Sequence, residues 1–254
     1  MVPVPLCREE HFTLDPERIM AAVTGNTRAV LINSPGNPTG TVISSPRLKT
    51  LASMCRERGL WLVCDEVYSM ITYSGRHRSL RACADALDNV VMIDALSKSH
   101  AMSGWRIGWA VGPEPLVQRL GQLAGASLFG CPQFIQDASA FALENDQEYV
   151  AAMREEYAQR ADYVLKKLEK LPGLQCHPPK AGMFVMVDVD GTGMSGREFA
   201  SRLLEQELVS VVPGDAFGPT ASHCIRLGLA QPRHVLKRGV KRIARFIEAL
   251  PAAA

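Results

Sequence analysis

Short apolar runs alternate along this chain with longer segments in which apolar residues recur every three or four positions. Clusters of Gly, Pro, Asn, Asp and Ser punctuate the boundaries between them. The runs Ala29-Val30-Leu31-Ile32-Asn33, Leu60-Trp61-Leu62-Val63-Cys64 and the one opening at Val90-Val91-Met92-Ile93 predict buried strands, with another over 106–111 closed by Gly112-Pro113. Residues 2–6 are strand-like but carry two prolines, which suits an edge or a strand start. A helix is predicted over 17–23, because Asp15-Pro16 supplies an N-cap and a first-turn proline and Gly25 a stop. A second is predicted from Ser45-Pro46 to position 58, stopped by Gly59.

The second half opens with helical periodicity over 114–128, 133–144 and 147–171, interrupted by Gly130-Cys131-Pro132 and by Asn145-Asp146. Strands are then expected over 183–189, 209–212 and 224–229. Between and after them lie a helix over 195–208, with the capping box Ser195-Gly196-Arg197-Glu198, and a basic helix over 231–250. Strands apolar on both faces that alternate with helices imply an α/β fold with a mostly parallel sheet covered on both sides. The division predicted is 1–146 for this layer and 147–254 for a bridging helix and a smaller α/β domain. No internal repeat appears, and the terminal alanines are the one low-complexity tract.

The 254 residues suffice for one large or two ordinary domains. A net charge of +2 without a long basic run gives no argument for nucleic acid, so small molecules or a second copy of the chain are the expected partners. Seven scattered cysteines without a CxxC pair read as reduced, mostly buried thiols. Cys176-His177 and His223-Cys224 are adjacent pairs, but sequence neighbours point in different directions, and no metal site is expected. No apolar run approaches the ~18 residues of a membrane span. The first residues lack the cationic start and apolar core of a signal peptide, so a cytoplasmic location is expected.

Candidate chemistry sits where the strands end. In parallel sheets ligands bind beyond the carboxyl ends of the strands, and three consecutive strands lead here into Asn37, into Asp65 with Tyr68, and into Lys98. A lysine at the end of a buried strand can be desolvated, which frees its amine to condense with an aldehyde. Taken alone, a lysine after a strand reads first as a solvated loop lysine, and it is the neighbours of Lys98 that turn the reading. Arg106, set among glycines and tryptophans in Gly104-Trp105-Arg106-Ile107-Gly108-Trp109, suits a phosphate or carboxylate.

Four stretches together resemble the class I/II aminotransferases of pyridoxal-phosphate fold type I. They are Ser34-Pro35-Gly36-Asn37-Pro38-Thr39-Gly40, Asp65-Glu66-Val67-Tyr68, Ser97-Lys98 followed by Gly104-Trp105-Arg106, and Ile225-Arg226-Leu227. The resemblance implies pyridoxal 5'-phosphate as cofactor and amino-group transfer between an amino acid and a 2-oxo acid. It implies that Lys98 bonds to the cofactor's aldehyde and later moves the substrate's Cα proton, and that Asp65 keeps the ring nitrogen protonated. It further implies that Asn37 and Tyr68 hydrogen-bond the ring's phenolic oxygen, that Arg106 and Ser97 lie at the cofactor, and that Arg226 grips the substrate's α-carboxylate, near Asn37. The runs 134–138, 181–188 and 214–219 look like those of arginine–pyruvate transaminases.

Two departures matter. Members often carry a serine three residues before the lysine, where this chain has Ala95. Full-length members also have a long stretch before the position of Val2, which supplies a phosphate cradle, a ring-stacking aromatic and the first two strands. The expected fold is therefore an incomplete aminotransferase large domain plus the smaller C-terminal domain, with residues 1–12 poorly anchored and one sheet edge unprotected. A full-length form is expected to be a homodimer. Two other readings stay open: a lyase or decarboxylase of the same fold, and a non-catalytic truncated fragment or interaction module.

Overall fold

Alternating burial along β1 (Ala29–Asn33) shows how the first sheet is laid down: Val30 and Ile32 are buried while Leu31 between them is 62% exposed. The computed structural model describes residues 1–250. Before this strand, α1 (Pro16–Ala21) starts as the sequence predicts, with the Asp15 carboxylate accepting from the Glu17 amide at 3.0 Å. α2 (Ser45–Glu57) then buries Leu48, Leu51, Ala52 and Cys55. β2 (Trp61–Asp65) pairs in parallel with β1, and β3 (Val90–Ala95) in parallel with β2. Between β2 and β3 lie a 3₁₀ turn over Ser69–Ile71 and the short α3 (Leu80–Cys83). After β3 the four-residue α4 (Leu96–Ser99) and a second 3₁₀ turn, Ser103–Trp105, lead into β4 (Gly108–Val111), which runs antiparallel to β3. The sheet order is β1-β2-β3-β4.

Three of these four strands run parallel, which bears out the mostly parallel reading; β4 runs antiparallel because the chain returns along β3 with only two short turns between. The expectation of two covered faces is corrected. Leu31 and Ile93 stand on the face that carries Asn33 and Asp65, and both are open, Ile93 at 40%. α5 (Glu114–Leu128) buries none of its own residues, and α6 (Gln133–Asn145) buries only Ser139 and Ala142. β1 ends the sheet on one side, in line with the expected open edge.

The chain divides into two compact units. The first comprises 1–4, 13–36 and 42–154; the second comprises 5–12, 37–41 and 155–254, the division falling inside α7 (Gln147–Leu168). In the second unit β5 (Gln175–His177), β6 (Phe184–Asp188), β7 (Val212–Pro213) and β8 (Cys224–Gly228) form an antiparallel sheet in the order β5-β6-β8-β7. α8 (Gly196–Glu207) begins with the Ser195 hydroxyl accepting from the Glu198 amide at 3.1 Å. α9 (Arg233–Glu248) turns Leu236, Val240, Ile243, Phe246 and Ile247 inward, and the Phe246 ring meets Phe199 edge-on at 5.1 Å.

The first twelve residues differ from the expectation. No strand forms over 2–6. Residues 7–12 are anchored: the Phe12 amide donates to the Cys7 carbonyl at 2.8 Å, Arg8 pairs with Asp188, and the buried Phe12 ring packs edge-on against His177 at 4.9 Å. An ion pair and an aromatic contact thus hold a segment whose sequence shows no periodicity. The cysteines form no disulfide, and three of the seven are buried, so the thiols are less buried than expected.

Candidate active site

In the first unit, strand register brings the candidate groups of β2 and β3 to one end of the sheet. Asp65 closes β2 opposite Ile93 of β3, and the Glu66 amide donates to the Ile93 carbonyl at 2.8 Å. The Asp65 carboxylate accepts from the Val67 amide at 3.1 Å, and its main-chain carbonyl accepts from the Asn33 side chain at 2.9 Å and from the Ser34 amide at 3.0 Å. The half-buried carboxylate is therefore fixed at a turn whose backbone is itself held by the preceding strand. Tyr68, three residues on, is 6% exposed and starts the Ser69–Ile71 turn.

Lys98 follows β3 in α4, so the lysine is carried on a helical turn; Lys98 and Ser97 are half-buried, and Ser99 and His100 are buried. The Ser99 hydroxyl and His100 Nδ1 lie 2.8 Å apart, which closes that turn from behind. The Ser69 hydroxyl donates to Asp94 at 3.2 Å, so the turn after Tyr68 is tied to the strand that leads into Lys98. Sequence reasoning passed over Asp94, although a carboxylate inside an apolar run marks it. Burial pushes its pKa up to about 6, against the lowering effect of hydrogen bonds from the Ala95 amide and Ser69.

Arg106 is exposed and donates to the Ser103 carbonyl at 2.8 Å. Its backbone is left-handed, at φ 56° and ψ 44°, a conformation that costs a non-glycine residue about 1–2 kcal/mol. Such strain is retained where surrounding structure or function demands it.

Asn37 groups with the second unit. The turn that carries it includes cis peptide bonds before Pro35 and Pro38. At its end Gly40 has φ +67°, and a Cβ there would stand 2.4 Å from that of Pro179. The Gly40 carbonyl accepts from the Lys180 and Ala181 amides at 2.9 and 3.1 Å. In this unit the Arg226 guanidinium donates to Asn37 Oδ1 at 2.7 Å. It lies over the rings of Phe184 and Phe217, 5.3 and 4.8 Å from their centroids. β8 is an inner strand of this sheet, bonded to both β6 and β7. Neither phenylalanine was legible as a partner of Arg226, because the two rings come from separate elements.

The chain matches the family model for aminotransferases of class I and II over residues 1–243. This chain belongs to that family. It is 44% identical to the arginine–pyruvate transaminase AruH of Pseudomonas aeruginosa, over 96% of this chain and 62% of that enzyme. It is 37% identical to the aspartate aminotransferase of Geobacillus stearothermophilus, over 95% of this chain and 63% of that one. Among solved structures, the aromatic aminotransferase from Pyrococcus horikoshii superposes with a TM-score of 0.93 at 32% identity, covering 97% of this aminotransferase-family chain and 66% of the other. The aspartate aminotransferase from Thermus thermophilus with maleate gives 0.90 at 34%, covering 96% and 63%. The chain thus spans less than two thirds of the length of these relatives.

Proposed function

We propose that this chain carries the amine and carboxylate chemistry of a pyridoxal-phosphate-dependent aminotransferase, which moves an amino group between an amino acid and a 2-oxo acid. The observation that supports it most is the register of β2 and β3, which sets Asp65 and Tyr68 beside the strand that delivers Lys98. The donor set fits the cofactor. It offers an amine without a carboxylate partner among the described residues, a half-buried carboxylate, a buried phenol and an exposed guanidinium in a strained backbone. Lys98 would hold the aldehyde carbon, Asp65 the ring nitrogen, Tyr68 and Asn37 the phenolic oxygen, and Arg106 with Ser97 the phosphate end. When bound, the cofactor supplies a sink for the electron pair left on the substrate's Cα. Lys98, freed once the substrate's amine takes its place at the aldehyde carbon, would accept the proton from Cα as general base and deliver it as general acid.

Arg226 is the proposed α-carboxylate ligand, assisted by Asn37. Two aromatic faces and a hydrogen bond fix its plane before substrate arrives, which lowers the ordering cost of a paired contact. Seven unbridged thiols suit a reducing compartment, and a cytoplasmic location is part of the proposal; no described helix is long and apolar enough to cross a membrane. A homodimer is also part of it, supported by the open apolar side chains of α5 and α6, among them Leu123, Leu128, Phe134 and Phe141.

The test is a 2-oxo acid assay with pyridoxal phosphate, arginine as donor and pyruvate as acceptor, the pair named for the relative in Pseudomonas aeruginosa. Product that requires the acceptor, is abolished in Lys98→Ala, and shows a KM raised about tenfold or more in Arg226→Lys would support transfer. Product formed equally without an acceptor would replace transfer by elimination or decarboxylation.

A further inference from the structure

The second unit holds a cluster of ligating side chains that amino transfer does not use. A ring nitrogen of His177, a carboxylate oxygen of Asp188 and the Cys224 sulfur all lie within 4.8 Å of one another. They come from three adjacent strands and share one face of the sheet, since Asp188 pairs directly across from Cys224 and His177 from Met186. All three are buried, at 8%, 3% and 0% exposure. His177 Nε2 is buried without a hydrogen-bond partner, and so is Nε2 of His223, which stands 3.6 Å from Asp188 Oδ2 and beyond hydrogen-bond reach. Two orphaned imidazole nitrogens beside a carboxylate and a thiol are expensive to bury and chemically matched to one another. The adjacent pairs Cys176-His177 and His223-Cys224 hid this in the sequence, because each pair contributes across the sheet and not to its own neighbour.

We propose that His177, Asp188 and Cys224 form a three-residue binding site for a divalent transition ion of the zinc class, with a fourth position for water. Mixed nitrogen, oxygen and sulfur donors select such an ion over calcium or magnesium, and a tetrahedral centre takes four of them at about 2.0–2.3 Å. Closing on a metal would draw together ligand atoms that now lie within 4.8 Å of one another. One competitor is already in place: Arg8 pairs with the same Asp188 oxygen. Metal and the Arg8 guanidinium are therefore alternative counter-charges for one carboxylate. Metal binding would loosen the ion pair that anchors residues 7–12.

Cobalt(II) titration of the purified chain tests this, because thiolate-to-cobalt charge transfer reports sulfur ligation directly and does not depend on enzyme activity. It is done in a Cys131→Ser background, since Cys131 is the exposed thiol. The expected result is one equivalent bound with a charge-transfer band, displaced by zinc. The band should disappear in Cys224→Ser, affinity should fall about tenfold or more in His177→Gln, and it should rise in Arg8→Ala, which leaves the buried strands untouched. Absence of the band, an equally strong band in Cys224→Ser, or unchanged affinity in Arg8→Ala would overturn the site.

Discussion

Arg226 and Asp94 show how much a single side chain owes to groups far away in sequence. Arg226 was singled out as a proposed carboxylate ligand by the stretch Ile225-Arg226-Leu227, which resembles the family's. The clamp of Phe184, Phe217 and Asn37 depends on tertiary placement. Asp94 carries the opposite lesson, since its burial beside Asp65 and Glu66 is visible only in three dimensions. Its pKa rises from 3.8 unfolded to about 6 folded. The folded chain therefore keeps a proton that the unfolded chain releases. That contribution to stability is full below pH 3.8 and is lost as pH rises through about 6. Urea unfolding at intervals across this window should show the decline, and Asp94→Asn should flatten it. A variant with the parent's slope would show that the group titrates normally.

At the scale of elements, periodicity located β1, α2, α5 and α6 within a residue or so, because each has a sustained pattern with a capping or stopping residue beside it. It missed β5, whose three residues are too few to show alternation, and it overextended the segment of which only Val212–Pro213 pairs. It also could not give β4 its direction, which comes from the short connection after α4. The connection from β2 to α3 shows an element held by a side chain. Glu66, buried next to Asp65, accepts from the Leu80 amide at 2.7 Å and meets His77 Nε2 at 3.4 Å. Glu66→Ala strands a buried amide and an imidazole nitrogen, which should cost about 2–4 kcal/mol. Equilibrium unfolding measures this, and a loss under 1 kcal/mol would mean that water replaces the carboxylate.

For the whole molecule, the family was legible because its chemistry lies at strand ends, where short motifs persist as recognisable strings. The grouping of residues 5–12 and 37–41 with the C-terminal half was not, because it rests on single anchors such as Arg8, Phe12 and the Gly40 carbonyl. The central claim is that Lys98 is the amine that reacts with the cofactor's aldehyde. Its most direct test is to incubate the purified chain with pyridoxal phosphate, reduce with borohydride, and map the labelled peptide by mass spectrometry. A single adduct on Lys98, absent in Lys98→Ala, is the result this account predicts; adducts scattered over surface lysines, or none at Lys98, would contradict it.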